Sequence, residues 1–259
     1  MKAALVTGAA RRLGRELALE LARNGYDVAV HYSTSAPEAE DTAEAIRALG
    51  QRAVTLQADL LDESQTAKLV TRASEGLGQP LDVLVNNASI FEHDTIHDAT
   101  RTSWDRHFES NLRAPFVLIQ AFAAQVSLPQ IDGNGEPVAR GLVVNMIDQR
   151  VRKLTPEFMT YTIAKAALWT LTQTTAQALA PSIRVNAIGP GPTLQGGRQD
   201  ADKFRQQRAA TLLNRGANSD DICGALRYFL TSRAVTGQLL CIDGGQHLAW
   251  ETPDVVGVE

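Results

Sequence analysis

Residues 7–15 read TGAARRLGR, and the fold turns on this stretch. It follows a short apolar run, Ala3 to Val6, and precedes an amphipathic segment with Leu13, Leu17 and Leu21 on one face. Strand, glycine turn and helix start together make the unit whose backbone N–H groups hold a dinucleotide pyrophosphate. Gly8 and Gly14 close the two ends of the turn, but Arg12 occupies the place where such turns usually carry a middle glycine. A long cation at that point calls for a partner.

Working outward, apolar runs alternate with helical patterns. Strands are predicted at 3–7, 27–32, 52–57, 82–86, 142–146, 184–188 and 238–242. They are continuous and rich in Val, Leu and Ile, as strands covered on both faces must be. Further helices are predicted at 37–49, 63–75, 102–126, 156–179 and 220–230. Pro37 and Pro156 suit first-turn positions, Gly25 and Gly50 suit helix ends, and Ser219 reads as an N-cap. Strict alternation predicts an α/β chain: one domain over 1–259, built on a doubly wound parallel sheet of about seven strands with helices on both faces. Two segments break the rhythm. Residues 128–140 read as a surface loop without chemistry, and 193–213 as a polar flap beside the carboxyl ends of the strands. The tail, 246–259, is apolar at Leu248, Trp250, Val255 and Val256.

Composition narrows the function. The chain has 259 residues, 44% of them hydrophobic, which is ample for a core. A net charge of −4 without a basic cluster excludes nucleic acid as the expected partner. No apolar run is long enough to cross a bilayer, and Met1-Lys2 leads straight into the first strand, so no membrane and a cytoplasmic location are expected. Two cysteines, Cys223 and Cys241, are too few for a disulfide framework.

The second predicted strand ends HYSTS, His31 to Ser35, with no carboxylate to receive a ribose 2′-hydroxyl. Arg12 supplies a cation and Ser33, Thr34 and Ser35 supply hydroxyls, which suits a 2′-phosphate; the expected cofactor is NADPH. The competing view makes Arg12 a solvated helix-start arginine. Further on, Tyr161 and Lys165 stand four apart, on one face of a helix. An ammonium beside a phenol lowers its pKa and lets it pass a proton near neutral pH.

With these pieces in order, the chain resembles a short-chain dehydrogenase/reductase, a Rossmann-type family, over nearly its whole length. The matching motifs are TGAARRLG, Asp59 in QADL, Asn86-Asn87-Ala88, Asn111 in SNLRAPF, YTIAK, RVNAIGPGPT and the DGG at 243–245. The resemblance implies that Gly8, Leu13 and Gly14 hold the cofactor phosphates, Asp59 and Leu60 flank the adenine, and Asn87 and Ala88 line a ribose. It implies that Lys165 holds the nicotinamide ribose, Tyr161 donates the proton, Asn111 orders a relay water, and Pro190, Gly191 and Thr193 contact the carboxamide. It also implies a homotetramer, built partly on the Tyr161 helix through Leu168, Trp169 and Leu171.

Three departures from the family pattern occur together. The usual catalytic serine is replaced by Asp148, thirteen residues before Tyr161; Arg12 replaces a glycine; and the fourth strand ends NNASIF, with Ser89 and Phe91. In this set the chain resembles the pteridine reductase branch. That resemblance implies that Phe91 stacks on a flat pterin and that Ser89 and Arg12 contact pterin and cofactor phosphates. Where that branch often has an arginine after the second strand, this chain has Thr34, so a weaker NADPH preference is expected.

Asp148 also has a rationale of its own: an acid in a half-closed apolar cleft has a raised pKa, can donate a proton and can hold an amino-ring edge. The expected function is therefore NADPH-dependent reduction of a pterin-like heterocycle, with Asp148, Tyr161, Lys165 and Asn111 as catalytic groups. Two alternatives stand beside it, a short-chain carbonyl reductase acting on a ketone or oxoacyl group and a non-catalytic NADPH sensor. The motif HDTIHD, His93 to Asp98, has i, i+4 histidines beside aspartates; a polar lip of the pocket is expected there and no metal.

Overall fold

The computed structural model describes residues 2–195, 200–252 and 255. Strands β1 (Lys2–Val6), β2 (Tyr26–Tyr32), β3 (Ala53–Gln57) and β4 (Val83–Asn86) alternate with helices α1 (Arg12–Arg23), α2 (Ala36–Ala48) and α3 (Glu63–Leu77). Then come α4 (Arg101–Phe108), a π turn (Glu109–Arg113) and α5 (Ala114–Gln125). A two-stranded hairpin, β5 (Gln130–Ile131) with β6 (Pro137–Val138), leads into β7 (Gly141–Met146). The chain continues through α6 (Met159–Leu179), β8 (Ile183–Pro190), α7 (Ala201–Ala209), α8 (Ser219–Thr231) and β9 (Leu239–Ile242).

Seven strands form one parallel sheet in the order β3-β2-β1-β4-β7-β8-β9. The order reverses between β1 and β4, so their carboxyl ends diverge into the crevice where ligands bind in such sheets. Period-two alternation drives the double winding. Ala4 and Val6 pack with Leu17, Leu21, Leu226 and Phe229 on one face, whereas Ala3 and Leu5 pack with Leu69, Leu118 and Phe122 on the other.

Each predicted strand is present, within a residue or two at its ends. Four local expectations are corrected. Pro156 is not in a first turn, because α6 starts at Met159 behind Phe158, whose φ is +56°. The N-cap of α8 is Asn218, in a capping box with Asp221, rather than Ser219. The segment 128–140 carries the β5–β6 hairpin. Leu168 is 1% exposed and packs with Ile147 and Ala187, so this residue belongs to the core, whereas Trp169 and Leu171 beside it are half-buried. Of the flap, 196–199 lie outside the described residues, and α7 forms its second half. In the tail Leu248, Trp250 and Val255 are exposed, while Val256 lies outside the described residues. Among the described residues no helix is long and apolar enough to cross a membrane.

Candidate active site

At the switch point β1 runs into the turn and β4 runs beside it. Gly8 has φ +62°, and a Cβ on Gly14 would lie 2.1 Å from the Gly8 carbonyl oxygen, so both positions require glycine. Thr7 ties the two strand ends together: its Oγ1 accepts from Asn87 N–H at 2.9 Å and Ala88 N–H at 3.0 Å. The Asn87 amide also donates to the Thr7 carbonyl at 2.9 Å. Gly8 N–H donates to His31 Nδ1 at 3.0 Å and Ala9 N–H to the His31 carbonyl at 2.8 Å. With the Gly8 and Ala9 N–H groups engaged, the donors that remain for an anion are those of Ala10, Arg11 and the first α1 turn, Arg12, Leu13 and Gly14. His31, which sequence reasoning missed, must carry its proton on Nε2, which faces the Ala58 carbonyl at 3.1 Å. Burial pushes its pKa down to about 4, so it stays neutral.

The two arginines of the turn separate. Arg12 takes φ +55°, a left-handed conformation costing a non-glycine residue about 1–2 kcal/mol. This turns its guanidinium to the flap, where Nη1 donates to the Gln195 carbonyl at 2.8 Å and Nη2 to the Leu194 carbonyl at 3.2 Å. Arg11 instead reaches the end of β2, donating to Ser35 Oγ and pairing with Glu38 at 3.3 Å. The expectation that Arg12 joins the hydroxyls after β2 is thus corrected: Arg11 stands there. Nothing in the composition of RR distinguishes the two; the backbone twist at Arg12 does.

Arg11, Ser33, Thr34 and Ser35 line one end of a cleft of about 580 Å³. Its middle is formed by Gly8, Arg12, Leu13, Gly14, Asn87 and Ala88, and Pro190, Gly191 and Thr193 close it from the β8 side. Ser89, Phe91, Asp148, Tyr161 and Lys165 meet at the other end. Asp59 and Leu60 are not part of its wall; the Asp59 carboxylate accepts from Leu61 N–H at 3.0 Å.

At the reactive end Tyr161 hydroxyl donates to Asp148 Oδ2 at 3.0 Å, and Arg150 N–H donates to Oδ1 at 2.8 Å. Burial raises the Asp148 pKa, opposed by the Arg150 contacts, Tyr161 and Lys165. Burial also pushes the Tyr161 phenol well above its ordinary value, and the neighbouring Asp148 charge adds to this. The expectation that Lys165 lowers the phenol is corrected. Lys165 Nζ donates to the Met146 carbonyl at 2.8 Å and stands 5.7 Å from the tyrosine ring centre, while the carboxyl touches the hydroxyl. Burial brings Lys165 down to about 8. Asn111, buried in the π turn, clamps Ile90 with both amide atoms, each at 2.9 Å. Its side chain thereby fixes the loop that carries Phe91.

The rim is better organised than its sequence suggests. Helix α6 has no side-chain cap of its own, and Asp94 from the β4–α4 loop supplies one. Its Oδ1 accepts from Thr160 N–H at 3.1 Å, its carbonyl from Met159 N–H at 3.2 Å, and its Oδ2 from the Thr160 hydroxyl. Buried His107 receives Glu92 N–H on Nε2 at 3.1 Å, so its Nδ1–H donates to Thr160 Oγ1 at 2.7 Å. Burial raises the Asp94 carboxyl, but the Thr160 hydrogen bonds outweigh it and hold the pKa below the ordinary value. His93 pairs with Glu157. His93 and Asp94 thus clasp the start of α6 while Thr95 and Asp98 close their own turn, and among the described residues no cluster suited to a metal ion is found.

Comparison with known proteins accords with this geometry. The family model described as short chain dehydrogenase matches residues 2–206. The 3-oxoacyl-[acyl-carrier-protein] reductase FabG of Staphylococcus aureus is 31% identical over 253 residues, 95% of this chain and 98% of that protein. Among solved structures, FolM alternative dihydrofolate reductase 1 from Brucella suis, in complex with NADP, is 44% identical with a TM-score of 0.90; 98% of each chain is covered. The Brucella canis protein of the same name, also complexed with NADP, is 43% identical with a TM-score of 0.88, again over 98% of each chain. With its parallel sheet, its glycine turn and its Tyr161–Lys165 pair, the chain belongs to the short-chain dehydrogenase/reductase family.

Proposed function

We propose that this protein is an NADPH-dependent reductase of a pterin-like heterocycle. The observation that carries the reading is the Asp148 carboxyl, hydrogen-bonded to Tyr161 at 3.0 Å in a cleft whose lip is Phe91. A half-buried acid beside a phenol suits a substrate with ring nitrogens and an amino edge, which needs both a hydrogen-bond acceptor and a proton source. The FolM names and their bound NADP support the reading. The cleft fits the cofactor: free helix-start N–H groups, Arg11 with three hydroxyl residues at one end, and Lys165 at the other.

NADPH supplies a hydride when bound. The Asp148–Tyr161 pair holds the proton that completes reduction of a C=N bond at nitrogen. Lys165 braces the end of β7, and Ser89 and Phe91 shape the substrate side. A second reading, reduction of a ketone or 3-oxoacyl group, is favoured by the Tyr161–Lys165 pair and the FabG relative. A carboxylate facing a developing alkoxide opposes it. NADPH oxidation followed with dihydropterins, dihydrofolate, oxidised pterins, a 3-oxoacyl thioester and a diketone decides between them. Turnover of the thioester alone would overturn the pterin reading.

Cofactor choice is a sharper test of the corrected geometry. Arg11→Ala is expected to lower the NADPH-over-NADH ratio of kcat/KM about tenfold, the low end for a charged hydrogen bond because the side chain is largely exposed. Arg12→Gly relieves the positive φ and is expected to leave that ratio nearly unchanged. The reverse result would return the 2′-phosphate to Arg12. For assembly we propose a homotetramer, supported by the family and by exposed Leu248, Trp250 and Val255; light scattering showing a monomer at micromolar concentration refutes it.

A further inference from the structure

Phe91 does not stand alone at the lip. Its ring stacks face to face on Phe158, with centroids 4.3 Å apart and planes 6° from parallel. Tyr161 stands steeply against it, with ring centroids 4.7 Å apart and planes 72° apart. The Arg150 guanidinium lies 4.9 Å from the Phe158 centroid and 6.0 Å from that of Phe91. Arg150 Nε is buried without a hydrogen-bond partner and Nη1 donates to Thr155 at 2.9 Å, so the guanidinium is held beside the two stacked rings. One face of Phe91 is thus covered, yet the residue is 52% exposed and lines the cleft.

The backing ring is held in place at a cost to the backbone. Phe158 has φ +56° and ψ +49°, a conformation that bulky residues avoid, directly before α6. The next two residues are fixed by Asp94, and the residue before it by His93. Phe158 therefore has little room to retreat, and any force on Phe91 passes to the first turn of α6, where Tyr161 lies.

We propose that Phe158, braced by Arg150, is a specificity-determining positioning residue: it holds Phe91 as a fixed flat platform and so selects planar fused-ring substrates. This rests on the pterin reading only for the identity of the ring. A ring lying on the cleft side of Phe91 extends a stack already formed, without the ordering of a loose side chain that would otherwise oppose binding.

The probe is 2,4-diaminoquinazoline, a flat ring without a reducible position for this reaction, titrated by fluorescence in the presence of NADP⁺. Phe158→Ala is expected to weaken its binding roughly tenfold, the scale of one well-formed aromatic pair. With a reduced pterin series KM rises similarly while kcat holds, and Phe158→Tyr restores both. Phe158→Gly, which removes the ring and also frees the backbone, should behave like Phe158→Ala; circular dichroism and thermal melts verify folding of each variant. Recovery of parent-like binding in Phe158→Gly would assign the effect to backbone strain and overturn the proposal. Tighter quinazoline binding in Phe158→Ala would also overturn it, by showing that Phe158 occupies the substrate's place. Failure of the parent to bind the quinazoline removes flat-ring selection. Binding without turnover of any pterin leaves the platform standing and refutes the pterin reading instead.

Discussion

Tyr161→Phe is expected to lower kcat for the best substrate by about 10²–10⁴-fold, the range for loss of a positioned proton-transfer group. NADPH affinity, followed by cofactor fluorescence, should change little, because the ring and the Lys165 contact to Met146 remain. The loss arises at one atom. Tyr161 hydroxyl is the group in hydrogen-bond contact with Asp148 at the reactive end, and its proton is held tightly by burial and by the adjacent carboxylate. The hydroxyl therefore passes a proton onward only when Asp148 carries one behind it. Removing the hydroxyl also removes a donor that stabilises the Asp148 carboxylate, so the Asp148 pKa rises further in the variant. A loss of less than tenfold would mean that Asp148 delivers the proton directly, and that the tyrosine only positions it.

Asp148→Ser should cost about 10- to 100-fold in kcat/KM for a pterin, from about 1–3 kcal/mol for a buried donor left without its acceptor. Reduction of simple diketones should be kept or improved, since serine restores the arrangement usual in the family. The pH profile gives a second readout. Burial raises the Asp148 pKa, so the protonated form required for proton delivery is present below that pKa and lost as pH rises through it. Activity of the parent should accordingly fall with rising pH, with a second fall as Lys165 loses its charge near pH 8. The serine variant lacks the first step. It also lacks the Asp148 charge that holds Lys165 up, so the remaining step moves to lower pH. Equal pterin turnover by both proteins, with superimposable profiles, would make Asp148 a bystander and put the carbonyl reading first.

The site was legible where one residue type in one place has one use. Tyr161 and Lys165 are brought to the cleft by helical spacing alone, and Asp148 reaches the phenol because β7 ends and α6 begins at the same edge of the sheet. Arg11 and Arg12 were not separable, since both are adjacent arginines at a helix start. Only a φ of +55° at the second sends its side chain to the flap and leaves the first beside Ser35. Phe158, His31 and His107 were missed for a common reason: each acts on a partner 23 to 67 residues away, as with Gly8 for His31, Thr160 for His107 and Phe91 for Phe158.

By itself the sequence determined the seven strands of the sheet, their parallel direction and most of the helices between them, because periodicity and turn chemistry are local and repeat along the chain; the helix expected at 102–126 is instead broken by the π turn Glu109–Arg113. It also determined the phosphate turn, since no side chain fits where Gly14 meets Gly8. The tertiary structure alone decided the electrostatics of the reactive end. Lys165 four residues from Tyr161 predicts a lowered phenol, yet the fold lays the ammonium against Met146 and the carboxyl against the hydroxyl, and the phenol rises. Coulomb interactions fall with distance and grow with burial, and neither quantity is written in the spacing of residues along a chain.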